Sequence, residues 1–136
     1  MKLYGKPGAC PLASHIALHE TGRPFELEAV DTAAVRTESG GDYRAINPKG
    51  YVPALALGLD DGSVLTEGAA VLQYIADSSP EAGLASAAGT LALARMQEQL
   101  KWIGTELHKA LGPLFRTARP RPAKTRHAPP LHASST

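Results

Sequence analysis

Several features that mark particular classes of protein are scarce in this chain of 136 residues. Cys10 is its single cysteine, so no disulfide can form within one chain, and a reducing compartment is compatible with the sequence. No run of about 18 apolar residues is present, and we predict no transmembrane helix and no membrane partner. The first residues lack an apolar signal-peptide run, which favours a cytoplasmic location. The net charge of +1 gives no overall attraction to nucleic acid, and we predict no nucleic-acid partner.

The charge that is present divides the chain into two parts. Residues 116–136 contain no Asp or Glu, four prolines, and five cations, namely Arg116, Arg119, Arg121, Lys124 and Arg126. We predict a disordered basic tail there, because such a segment cannot recover its ordering entropy by burial. A shifted reading frame in GC-rich coding sequence tends to yield this composition. A basic arm for nucleic acid is the alternative, but no aromatic residue interleaves the charges.

Residues 1–115 carry the periodic patterns of regular structure. Alternation and apolar runs predict strands at 2–4, 25–30, 52–57 and 63–65, and residues 32–46 are predicted to be irregular. One helix is predicted from Pro11 to about Glu20, a second is capped by Thr66, and a third spans 90–115. Because a helix joins the first two strands, they should be parallel, whereas the last two form an antiparallel hairpin.

This order of elements predicts an α/β fold, with a thioredoxin-like mixed four-stranded sheet and helices packed against it. We divide the chain into a thioredoxin-like domain (1–78), a linker rich in Ser, Pro, Ala and Gly (79–89), the first helix of a truncated all-α segment (90–115), and the tail (116–136).

Cys10 lies where the first helix begins, directly before Pro11. Unpaired amides and the helix dipole favour thiolate there, so we predict a pKa below the free value of about 8.5. The alternative is a cysteine that packs as a small hydrophobe. Ala13 occupies the position three residues on, which excludes a two-thiol redox cycle within the chain.

Two further features point to a peptide ligand with charged ends. A cis bond between Val52 and Pro53 would turn the Val52 main chain outward to pair with an extended peptide, whereas an ordinary trans proline would not. The segment Thr66-Glu67-Gly68 opens a helix, so it provides amides for an anion and a carboxylate for an ammonium group, or is a plain helix cap. Glutathione, a peptide with a thiol, an ammonium group and two carboxylates, matches these features part by part.

The same residues carry a resemblance to a known family. The stretches K-L-Y-G-K-P-G-A-C-P-L-A-S-H-I-A-L, G-G-D-Y-R-A-I-N-P-K-G-Y-V-P-A-L and L-T-E-G-A-A-V-L-Q-Y-I-A-D resemble bacterial beta-class glutathione transferases, up to about Phe115. The resemblance implies a glutathione site, without a metal, that includes Cys10, Tyr51, Val52, Pro53, Glu67 and Gly68. Where the family usually has a small polar side chain, Gly68 keeps only the amide.

The segment E-L-H-K-A-L-G-P-L-F in the third helix also resembles the family. It implies that His108 and Lys109 reach the thiol region and the ligand. Lys101, Thr105 and His108 are four and three residues apart and can share one helix face, or they are ordinary solvent-exposed polar residues. We take Cys10 and His108 as the candidate catalytic residues.

The resemblance implies a glutathione transferase that adds glutathione, bound as thiolate, to small electrophiles, with thiol–disulfide exchange at Cys10 as a further reaction. Two alternatives remain open: a monothiol, glutaredoxin-like redox protein, and a truncated glutathione-binding product that is catalytically weak or inactive. Family members are homodimers, but this chain has only the first helix of the second domain, which argues against a stable dimer.

Overall fold

A computed structural model describes residues 1–115, without the side chain of Phe115. Five strands form one mixed sheet in the order β3-β2-β1-β4-β5. Their bounds are β1 Lys2–Gly5, β2 Glu26–Asp31, β3 Arg36–Thr37, β4 Ala54–Ala56 and β5 Val64–Thr66. Strand β1 is parallel to β2 and antiparallel to β4, and β4 is antiparallel to β5. The predicted thioredoxin-like α/β sheet is therefore confirmed.

The predicted number of four strands was wrong, because β3 lies in the segment that was predicted to be irregular. It is only two residues long, too short for an alternating pattern, and pairs Val30 with Thr37. The turn before it is closed by the Asp31 carboxylate, which accepts hydrogen bonds from the amides of Ala33 and Ala34 at 2.8 and 3.1 Å. Side-chain capping of a turn, and not apolar periodicity, produces this edge strand.

The helices are α1 Pro11–Glu20, α2 Gly68–Asp77, α3 Leu91–Trp102 and α4 His108–Phe115. Pro11 starts α1 as predicted, and Thr90 caps α3 by accepting a hydrogen bond from the Leu93 amide at 3.2 Å. Helix α2 begins later than predicted, because Thr66 is the last residue of β5 and Glu67 turns the chain. Between α3 and α4 the helix continues through a wide π turn, Ile103–Leu107. None of these helices is long and apolar enough to span a membrane.

The core lies between the sheet and helices α1 and α2. Leu3, Leu18, Leu55, Val71 and Ile75 are fully buried and form one cluster. By contrast, no side chain described between residues 91 and 114 is fully buried. Apolar residues recur every three or four positions in this segment, and of these Met96 and Leu100 are half-buried whereas Leu107 and Leu111 are exposed. The predicted disorder of residues 116–136 concerns a segment outside the described residues.

Candidate functional site

Cys10 lies in the loop between β1 and α1, where it immediately precedes the first helical residue. Its side chain is exposed, and its thiol donates a hydrogen bond to the main-chain carbonyl of Val52 at 3.3 Å. Two of the predicted site residues, 42 positions apart in the chain, are thus in direct contact.

The protonation of Cys10 differs from the prediction. Partial burial raises the pKa of the Cys10 thiol above its ordinary value, and this effect exceeds the opposing one of a hydrogen bond from the cysteine's own amide. The hydrogen bond to the Val52 carbonyl requires the S–H form, which also favours the neutral thiol. The prediction of a lowered pKa is therefore wrong in direction, because it counted the helix end and omitted desolvation.

The Val52–Pro53 bond is cis, as predicted. The loop before it is held by two side chains, since the Tyr43 hydroxyl and the Asn47 amide donate to the Tyr51 carbonyl at 2.8 and 2.7 Å. The Tyr51 side chain itself is 75% exposed. The Val52 amide is not the donor of any hydrogen bond found within residues 1–115, so it is available to a ligand.

Glu67 connects β5 to α2 in an unusual conformation, with a positive φ of 73°. Its carboxylate does not cap the helix but forms an ion pair with the Lys49 ammonium at 2.7 Å, and Lys49 also contacts the Thr66 hydroxyl at 3.4 Å. The first hydrogen bond of α2 runs from the Val71 amide to the Glu67 carbonyl. The amides of residues 68–70 therefore have no partner within the helix, as is usual in the first turn of a helix.

These features lie on one edge of the sheet. Ala54, the first residue of β4, pairs with Thr66, the last residue of β5. The cis-proline loop and Glu67 are consequently neighbours, and the Cys10–Val52 contact brings the N-terminus of α1 beside them. We call this edge, made of Cys10, Val52 and Glu67 with the amides of residues 68–70, the peptide edge.

The four predicted residues of the third helix are not joined to the peptide edge by any hydrogen bond or ion pair found in residues 1–115. Lys101, His108 and Lys109 are exposed, and the Thr105 hydroxyl donates to the Lys101 carbonyl at 3.0 Å. The π turn at residues 103–107 also changes the angular spacing from which a shared face was predicted. Their role in the site remains a prediction.

Sequence reasoning did not single out Lys49, although it lies within one of the quoted stretches. The sequence feature that could have identified Lys49 is its place two residues after Asn47, the residue that holds the loop before Pro53. Within residues 1–115 no group of three or more His, Cys, Asp or Glu side chains is arranged to hold a metal ion.

Comparison with known proteins agrees with this arrangement. Residues 9–78 match the model of the family "Glutathione S-transferase, N-terminal domain". The chain is 52% identical over 124 residues to glutathione S-transferase GstA of Escherichia coli O157:H7, covering 91% of this chain and 61% of that protein. It is 42% identical over 115 residues to glutathione S-transferase GST-4.5 of Xanthomonas campestris pv. campestris, covering 85% and 53%. The match to the Escherichia coli protein continues past Phe115, where the sequence indicated that the resemblance ends.

Solved structures give the same result. The beta-class glutathione S-transferase of Sphingomonas chungbukensis superposes with a TM-score of 0.82 at 50% identity, covering 87% of this chain and 58% of that one. A sphingomonad glutathione S-transferase complexed with glutathione has a TM-score of 0.81 at 52% identity, with the same coverage. The chain spans less than two thirds of the length of each of these relatives. It belongs to the glutathione S-transferase family, in its bacterial beta class.

Proposed function

We propose that this chain binds glutathione along the peptide edge and presents its sulfur, as thiolate, for addition to small electrophiles. The observation that carries the proposal is the contact between Cys10 and the Val52 carbonyl, beside the paired ends of β4 and β5. This contact supports a site in which the thiol, the Val52 main chain and the start of α2 bind one ligand together. We expect the protein to work in the cytoplasm.

The cysteinyl residue of glutathione would pair with Val52 like an additional strand. The Val52 amide is free to donate, and its carbonyl, with two lone pairs, is able to accept a hydrogen bond from the ligand main chain. Two main-chain hydrogen bonds then fix the direction of the tripeptide, so that its γ-glutamyl end lies over the start of α2.

The γ-glutamyl end carries an ammonium group and a carboxylate, and the start of α2 offers a partner for each. The Glu67 carboxylate accepts from the ammonium group. The α-carboxylate of the γ-glutamyl group is bound by the unpaired amides at residues 68–70. Lys49, which contacts the Glu67 carboxylate, supplies a positive charge near this ligand carboxylate.

At the other end, Cys10 acts as a donor to the glutathione sulfur. Burial raises the pKa of the Cys10 thiol and so favours its neutral S–H form, which does not repel a neighbouring thiolate. When glutathione binds, this S–H turns from the Val52 carbonyl and donates to the glutathione thiolate instead. The thiolate then forms an S–C bond with the electrophile, whose leaving group or adjacent π bond takes the displaced electron pair. His108 and Lys109, with Lys101 and Thr105, are proposed to line the same region.

A titration calorimetry experiment on the 136-residue chain tests the site. We expect the variant Glu67→Gln to bind glutathione about tenfold or more weakly, because a charged hydrogen bond to the ammonium group is lost. Asp77→Asn, at the far end of α2, is the matched control and should bind normally. Equal affinity of the Glu67 and Asp77 variants would overturn the proposed site.

Turnover of a chromogenic aryl halide distinguishes the function classes. If the parent chain conjugates the aryl halide and Cys10→Ser does so more slowly, the result supports the transferase function. Reduction of a mixed disulfide without conjugation would instead indicate the glutaredoxin-like alternative. Glutathione binding with neither reaction would identify a binding product without catalysis, for which the exposed α3–α4 surface is the favouring observation.

A further inference from the structure

A pair of histidines on α1 plays no part in the peptide edge. His15 and His19 are one helical turn apart, and their Nε2 atoms are 3.1 Å from each other. His15 is half-buried and His19 is exposed, so the pair can be reached from solvent. Two imidazoles at this distance either share a proton in a hydrogen bond or bind one cation between them.

The separation of the two nitrogens suits one shared metal ion. Nitrogens bound to Zn²⁺ at about 2.0–2.1 Å lie about 3.3 Å apart in a tetrahedral site and about 2.9 Å apart when the ion is octahedral. The observed 3.1 Å lies between these values. The distance between the two nitrogens therefore needs little change for both to coordinate one ion.

The imidazole rings are also held in place by a third side chain. Phe25 packs edge-to-face against both, with ring centroids 5.6 Å from His15 and 4.9 Å from His19. Phe25 itself packs against the buried core cluster. The pair is thus partly preorganised, which lowers the entropy cost of binding an ion.

We propose that His15 and His19 form a two-ligand surface site for a borderline divalent transition-metal cation such as Zn²⁺, Ni²⁺ or Cu²⁺. Imidazole suits these ions and not the hard cations Mg²⁺ or Ca²⁺, which prefer oxygen. Water completes the coordination sphere, so the ion is exchangeable. The site is independent of the glutathione site and stands whether or not the chain conjugates glutathione.

The test is a calorimetric titration of Zn²⁺ into the full 136-residue chain under reducing, chelator-free conditions. We expect one ion per chain at this pair, and about tenfold or more weaker binding in His15→Asn and in His19→Asn, because each removes one of two ligands. Mg²⁺ in place of Zn²⁺ should give no binding at this pair. Circular dichroism shows whether each variant keeps its helices.

Other side chains that could bind a metal ion provide the matched controls. Cys10→Ser, His108→Asn and a double His127→Asn/His132→Asn variant should each keep the ion at this pair, because they leave it intact. As a second readout, paramagnetic Ni²⁺ should broaden the imidazole NMR signals of His15 and His19 first. Unchanged zinc affinity in His19→Asn, or first broadening at Cys10 or His108, would overturn the proposal and leave a plain hydrogen bond between two imidazoles.

Discussion

Glu67 is the residue whose backbone conformation most clearly calls for an explanation. A non-glycine residue at φ 73° costs about 1–3 kcal/mol, and such conformations cluster at ligand sites. The ion pair with Lys49 does not repay this cost, because both side chains are more than half exposed. In this conformation the Glu67 carboxylate does not cap its own helix, and the proposed glutathione site uses it as the partner of the ligand ammonium group.

We therefore expect Glu67→Gly to raise the free energy of unfolding by about 1 kcal/mol, because glycine adopts positive φ without strain. The same variant should lose glutathione affinity. Glu67→Ala is the control: it removes the carboxylate but retains the strain, and should not stabilise. Urea unfolding with glutathione titration measures both quantities, and destabilisation by the glycine variant would contradict this account.

Cys10 shows what sequence can and cannot provide at a single residue. Its place at a helix start followed from Pro11, but its pKa depends on how the Val52 loop covers it, a contact between residues 42 positions apart. For the same reason Lys49 was missed, since its role depends on the pairing of β4 with β5. Local pattern places a residue on an element, whereas the protonation and partners of its side chain come from tertiary contacts.

Because burial raises the pKa of Cys10, its alkylation should be slow at neutral pH without added glutathione. The thiolate is the reactive form, so the rate should rise with pH and have a midpoint above the free value of about 8.5. Iodoacetamide labelling followed by mass spectrometry gives the profile. A midpoint below that of a free cysteine peptide would restore the helix-end argument.

Glu28 is a buried carboxylate of β2 that ties the edge of the sheet together. Lys2 and then Ser39, whose hydroxyl donates at 2.6 Å, hold the pKa of Glu28 at about 2, below its ordinary value of 4.5. A folded-state pKa below the unfolded value means that the contribution to stability is complete above about pH 4.5 and is lost as the pH falls toward 2.

We expect Glu28→Gln to be less stable than the parent chain at pH 7, with a difference that shrinks between about pH 4.5 and 2. Thermal unfolding monitored by circular dichroism across this pH range measures it. Glu26→Gln is the matched control, because its side chain is 78% exposed and should matter little at any pH. A difference between parent and Glu28→Gln that does not depend on pH would contradict the assignment.

At the scale of elements, the sequence predicted what local chemistry specifies. Helix α1 was predicted with correct limits because Pro11 and Gly22 mark them, and β1, β2, β4 and β5 were found by alternation and apolar runs. Strand β3 was not, because two residues carry no period. The π turn between α3 and α4 was not either, because an apolar stripe with spacing of three or four fits both a regular and a widened helix.

The sheet with α1 and α2 should be much more sensitive to truncation of a leucine than the helical segment 91–115. Leu55 of β4 is fully buried in the core cluster, so Leu55→Ala should lower the free energy of unfolding by about 2–5 kcal/mol. Leu107→Ala, in the exposed π turn, should change it by less than about 0.5 kcal/mol. Urea unfolding of both variants tests this, and similar losses would mean that residues 91–115 share the core of the sheet.

At the scale of the whole molecule, the uneven burial leaves a large apolar surface. Exposed apolar side chains run along the last helical segments, namely Trp102, Ile103, Leu107, Leu111 and Leu114, and a cavity of about 240 Å³ opens between α1, α2 and α3. Large apolar patches on a monomer are unusual and commonly mark contact surfaces, and these five side chains lie within 13 residues of one helical segment. The chain spans 61% of the length of its Escherichia coli relative.

We therefore expect the 136-residue chain to self-associate through this surface and to conjugate glutathione far more slowly than a full-length relative. Fully burying a large apolar side chain contributes about 1.5–3 kcal/mol, so burying several of these partly exposed side chains together offsets the entropy cost of association. Sedimentation velocity should show mass increasing with protein concentration, and a Trp102→Gln/Leu107→Gln variant should reduce it. Leu59→Gln, on the exposed turn between β4 and β5, is the matched control. A chain that stays monomeric, or a variant that associates like the parent, would contradict association through this surface. Conjugation as fast as in a full-length relative would show that residues 1–136 already contain the electrophile site.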